Sequence, residues 1–175
     1  MNKINKNSLS ISIKAALALA LLTPTISEAA SYTLDWDGEG GGASWVTATN
    51  WNPDTVLTSA DTVTLSYNID FSATDSNTNA ALAGIDVAGI TFGALAKGNI
   101  SAGSAGVGID LVGDITNNSA DVIGVGLGAN LLITTDSALR TITNNGTSFV
   151  LQSDFVVGSG GLSVINAAAA LQSGG

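Results

Sequence analysis

Ile115-Thr116-Asn117-Asn118-Ser119 recurs as Ile142-Thr143-Asn144-Asn145-Gly146, an offset of 27 residues, and the choice of fold turns on that echo. A period of roughly 20–30 residues suits one coil of a parallel β-solenoid, in which equivalent turns stack and Asn side chains form ladders. Read so, Asn117 and Asn118 lie one coil from Asn144 and Asn145, with inward Ile115 over Ile142. Read as coincidence, the same short strands and tight turns build an antiparallel β-sandwich. Both readings are all-β.

Working outward, the clearest strand runs from Thr62 to Ser72. There Val63, Leu65, Tyr67, Ile69 and Phe71 alternate with Thr64, Ser66, Asn68 and Asp70, sending one set to a core and the other to solvent. Further β-type stretches span 85–92, 107–115, 122–127, 131–135, 139–143, 148–151, 154–157 and 162–165, separated by Gly, Asn, Asp and Ser. No segment carries an apolar stripe of helical period and length. Ala167–Leu171 favours helix by composition but is too short to nucleate alone. The 21 glycines, none before residue 38, follow no three-residue period, which excludes collagen. Pro53 is the single proline after residue 24, which argues against a Pro-rich linker.

Composition removes many functions at once. The 175-residue chain has no Cys and no His, so a Cys or Ser-His-Asp triad, a thiolate or imidazole metal ligand and a disulfide are all excluded. With five basic residues and a net charge of −9, a nucleic-acid partner is excluded as well, because such binding rests on phosphate neutralisation by Lys and Arg.

Residues 1–29 read as a secretory signal peptide. Lys3, Lys6 and Lys14 form a positive n-region, Ala15–Leu22 a short apolar h-region, and Ser27-Glu28-Ala29 puts small residues at the −3 and −1 positions. The apolar run is far below the ~20 residues of a membrane-spanning helix. Without a twin arginine, the general secretory route is expected. Cleavage after Ala29 leaves Lys97 and Arg140 as the only basic side chains, against every acid but Glu28. A cysteine-free, acidic, exported chain suits a bacterial envelope or extracellular location.

The mature chain opens with Tyr32-Thr33-Leu34-Asp35-Trp36-Asp37-Gly38, then Gly40-Gly41-Gly42, Trp45 and Thr49-Asn50-Trp51. Asp61-Thr62-Val63, Ala88-Gly89-Ile90-Thr91-Phe92 and Gly113-Asp114-Ile115-Thr116-Asn117 follow in order. From Ser31 to about Gly161 this resembles the opening of the autotransporter-associated β-strand repeat proteins of bacterial envelopes. The resemblance implies a right-handed parallel β-helix passenger, secreted or displayed at the cell surface with structural or adhesive work. Residues 30–80 are then a Trp-rich N-terminal cap with the first strands, and 81–175 the solenoid coils. Such proteins continue through many repeats, some to a membrane barrel, so a truncated chain is expected. Partners would be a cell-surface or glycan ligand, an outer-membrane barrel encoded beyond this chain, and further copies associating end to end at an uncapped coil.

Few motifs compete with that reading. Asp35, Asp37 and Glu39 with Gly40 imitate the start of a calcium loop, but Val46 occupies the position of the closing bidentate Glu. Gly103–Gly108 and Gly124–Gly128 lack the βαβ context of a nucleotide loop and read as solenoid corners. Asp136 and Arg140 imitate the calcium-bound aspartate and arginine base of some β-helix enzymes that cleave acidic polysaccharides, yet their spacing equally makes a surface ion pair. Trp36, Trp45, Trp51, Tyr32 and Tyr67 are either a sugar-stacking platform or, more simply, buried rings. The expectation is a non-enzyme with no catalytic, cofactor-binding or metal residue and no cofactor. A secreted carbohydrate-binding or carbohydrate-active β-helix is the alternative.

Overall fold

The structure is a computed structural model that describes residues 29–103, 107–126 and 131–167. The expected leader, apart from Ala29, and the Ala-rich stretch from Ala168 onward lie outside the described residues. So do parts of both Gly-rich segments.

The described residues form thirteen strands in two sheets. The larger sheet contains β1 (Ser31–Trp36), β2 (Trp51–Asn52), β3 (Thr62–Tyr67), β5 (Ile85–Phe92), β7 (Gly108–Asn117), β9 (Leu132–Thr135), β10 (Arg140–Asn144), β12 (Asp154–Val156) and β13 (Leu162–Asn166). The smaller contains β4 (Ser76–Thr78), β6 (Gly98–Ala102), β8 (Val122–Val125) and β11 (Ser148–Leu151). The chain passes from one sheet to the other and back, and each return adds a parallel neighbour: β1 beside β3, β3 beside β5, β5 beside β7, and β4, β6, β8 and β11 likewise. This is a parallel β-solenoid of about four turns. Among the described residues only β1 and β2 pair antiparallel, so the sandwich alternative is excluded. Parallel stacking already begins at β1, within the stretch 30–80 expected to hold the cap and first strands.

The echo is a true coil repeat. Ile142 pairs with Ile115, and Asn144 with Asn117. Leu34, Leu65, Ile90, Ile115, Ile142 and Val164 form one column across six rungs. All but the last are buried, whereas Val164, on the last described rung, is 62% exposed. Removing such side chains from water is the main favourable term holding the coils together.

Two details depart from the alternation. The Thr62–Ser72 pattern stops being strand at Tyr67. Phe71 still reaches the core, but from a corner where Asp70 accepts from the Ser72 N–H at 3.0 Å. Strand β4 has no apolar residue, because its inward Ser76 serves buried polar groups: Trp45 Nε1 donates to Ser76 Oγ at 2.7 Å, and the Tyr67 hydroxyl lies 2.9 Å from it.

The larger sheet carries an irregularity that grows from coil to coil. Val63 and Thr64 are adjacent; their partners Val87 and Gly89 flank Ala88; the next, Leu111 and Asp114, flank Val112 and Gly113. In the following coil the strand is split into β9 and β10, and Asp136–Leu139 loop out between them. Gly113 is required here, since a Cβ would collide with the Ala88 carbonyl oxygen of the coil before.

Candidate functional site

Strand alternation puts Asp86, Asp110 and Thr134 on the outer face, and the parallel register stacks them as three consecutive rungs. The growing bulge raises a wall beside that column. Asp86, Asp110, Val112, Thr134, Thr135 and Asp136 together line a cleft of about 230 Å³.

Its electrostatics follow from the stacking. The Asp110 carboxyl is pushed above its ordinary value, first by desolvation and then by the Asp86 charge one rung away. Asp136 moves the opposite way, because the Arg140 guanidinium donates to both of its oxygens, from Nε to Oδ1 at 2.7 Å and from the second terminal nitrogen to Oδ2. Arg140 is thereby held protonated beyond its already high ordinary value. Asp114 accepts from the Thr141 N–H at 2.7 Å and pins the start of β10. Thr135 is buried and its hydroxyl accepts from the Gly158 N–H at 2.9 Å. The cleft thus offers carboxylate and hydroxyl oxygens for hydrogen bonding, with its one guanidinium already engaged.

The sequence-level candidates separate clearly. Asp136 and Arg140 are brought together as a bidentate pair, of which Asp136 lines the cleft. Asp35, Asp37 and Glu39 do not converge. The Asp35 main chain is paired on both sides of β1, and the Asp37 carboxylate accepts from the Glu39 N–H at 3.1 Å. Buried Asn50 organises the following loop instead: its Oδ1 accepts from Gly40 N, and its Nδ2 donates to the carbonyls of Gly42 and Ser44. No group of three or more acids able to hold a metal ion occurs among the described residues. Trp36, Trp45, Trp51 and Tyr67 are buried in mutual contact, and Tyr32 is half-buried against the core. None of these four buried rings offers a face to a ligand. The Tyr67 hydroxyl, desolvated by burial, is held far above its usual value.

Asp86, Asp110 and Thr134 were not singled out from sequence. The usable signal was Gly84-Ile85-Asp86 recurring as Gly108-Ile109-Asp110, which the structure shows to be successive rungs.

No family model, no curated protein and no solved structure matches the chain. Its class is defined by its own geometry: a parallel β-solenoid with an acid-lined cleft beside a progressively widening bulge.

Proposed function

We propose that the chain is a secreted or surface-displayed structural and adhesive β-solenoid segment of a bacterial envelope protein, without enzymatic activity. The observation that carries this reading is where the polar side chains are spent. Asn117 Nδ2 donates to Asn144 Oδ1 at 2.8 Å, Asn144 to Asn166 at 3.0 Å, and Asn145 to Asn118 at 2.9 Å. Lys97 sits on Asp70 and Arg140 on Asp136. The asparagine ladder and the Lys97–Asp70 pair join coil to coil, as a rigid spacer requires, and Arg140 is spent on Asp136 within its own loop. The leader motif and the resemblance of Ser31–Gly161 to autotransporter-associated repeat proteins support an exported location. The exposed apolar residues of the last described coil, Val156, Val157, Val164 and Ile165, support association with a further coil or a second copy.

The test is export and display. Residues 1–175 fused to a reporter should reach the envelope or medium of a bacterial host, and deleting residues 2–22 should retain the reporter inside. Retention of both would overturn the reading. The rival, a carbohydrate-binding solenoid, is favoured by the cleft of Asp86, Asp110, Thr134 and Asp136. Glycan-array binding lost in Asp110→Ala would move the assignment to it.

A further inference from the structure

The first coil contains a buried carboxylate that forms no ion pair among the described residues. Asp61 is 4% exposed. Its Oδ2 accepts from the Thr58 N–H at 2.8 Å and the Thr58 hydroxyl at 2.9 Å, and its Oδ1 accepts from the main-chain nitrogen of Ala30 at 3.1 Å. The ion pairs of Lys97 and Arg140 are with Asp70 and Asp136. A charge withdrawn from water to this degree is costly unless it is paired as well as hydrogen-bonded.

The position of Ala30 is the telling part. It stands one rung before the first register pair, Ser31 with Thr62, and its carbonyl accepts from the Thr62 N–H at 2.8 Å. Ala29 is exposed, whereas Ala30 is half-buried. The bond between them is the one the leader motif marks for cleavage. Hydrolysis adds water across that bond, leaving a carboxylate on Ala29 and an amine on Ala30 that takes up the released proton. The nitrogen facing Asp61 changes from a neutral amide to an α-ammonium without having to move.

We propose that leader removal completes the first coil, by converting the Ala30–Asp61 hydrogen bond into a half-buried ion pair between the new N-terminus and the Asp61 carboxylate. This rests on the reading of residues 1–29 as a cleaved leader. The precursor has the same backbone but lacks the charge, so it is the less stable form, and stability increases on processing. A charge-assisted bond is roughly twice as strong as a neutral one. Pairing raises the α-amino pKa above its ordinary ~8, so the added stability is full below that value and is lost as pH climbs through the raised one.

The experiment compares residues 30–175 with a free Ala30 terminus, with an acetylated one and with a two-residue Gly-Ser extension, each with Asp61 and with Asp61→Asn. Urea unfolding at pH 6 should give the free terminus a folding equilibrium constant about tenfold larger than either blocked form, the difference expected of one charged hydrogen bond. The advantage should vanish in Asp61→Asn, and also at a pH high enough to deprotonate the amine. A ¹⁵N-labelled Ala30 amine should titrate above its ordinary value. Equal stability of the free and blocked Asp61 chains, or an ordinary amine titration, overturns the ion pair and leaves the leader reading standing. If Asp61→Asn does not fold, the comparison of free and blocked termini on the Asp61 chain decides alone. Mass measurement of the exported protein separates the two ideas: a terminus other than Ala30 overturns the leader reading, and with it this use of Asp61.

Discussion

One inner column of the larger sheet is filled in two different ways along its length. Its first three rungs are rings: Trp36, Tyr67 and Phe92, with centroids 6.0 Å and 5.4 Å apart in succession. Its last three are amides: Asn117, Asn144 and Asn166, joined at 2.8 Å and 3.0 Å. Rings bury a large apolar area without demanding a direction, but they need a wide interior, and Trp45, Trp51 and Phe71 fill the space around them. Amides occupy a thin coil and hold register through directional bonds, and each can do the same for another coil. Each of the first two also caps its own corner: Asn117 Oδ1 accepts from Ser119 N at 3.0 Å, and Asn144 Oδ1 from Gly146 N at 3.1 Å. The aromatic region is suited to ending a solenoid, the asparagine region to extending one.

The sharpest way to break this contrast is Trp51→Ala. Trp51 is fully buried, lies 4.9 Å from Trp36 between ring centroids, and donates to the Trp45 carbonyl at 2.8 Å. Truncation should cost about 3–5 kcal/mol, read as a lower urea midpoint. An unchanged midpoint would remove Trp51 from the stability account. A smaller loss is expected in the amide region. Asn117→Ala, at a fully buried rung, should cost about 1–3 kcal/mol because it strands the Ser119 N–H and one side of the ladder. Asn144→Ala, half-buried, should cost less. A reversed order would mean that burial does not set the strength of the ladder.

The smallest effect concerns the outer face, where Asp110→Asn should slightly stabilise the protein at neutral pH. The wild-type carboxyl has a raised folded pKa, so its ionised form disfavours folding. As pH falls, the folded state takes up the proton first. Wild type therefore gains stability from the raised value down to the ordinary ~3.9, and the advantage of the variant disappears over the same window. A gain that persists at low pH would show that Asn acts through packing and not by removing a desolvated charge beside Asp86.

Much of the fold was legible, for physical reasons. Ile115 with Ile142 and Asn117 with Asn144 could be paired from sequence because inward position and corner chemistry repeat together. Other parts were hidden by insertion. Ile85 and Ile109 are register partners, but beyond them Ala88 is matched by two residues, Val112 and Gly113, so a fixed period fails within a single strand. Strand β4, Ser76-Asn77-Thr78, carried no apolar signal because its inward hydroxyl answers Tyr67 and Trp45, whose positions come from other coils. Asp86 and Asp110 looked like ordinary polar strand residues, since nothing local says that two carboxylates will share a face.

The sequence by itself determined a β protein with alternating faces, a coil-length echo and an apolar column that can stack. The tertiary structure alone decided that rings give way to amides in one column, that Asp86, Asp110 and Asp136 meet at a cleft, and that Ala30 lands on Asp61. Those neighbours belong to different coils: Ala30 and Asp61 are 31 residues apart, Asn144 and Asn166 only 22. The spacing changes with every residue the bulge and the corners admit, and a slip of one residue turns a side chain to the opposite face. Local preference specifies which way a residue points within its own strand, but the register between coils specifies what it meets.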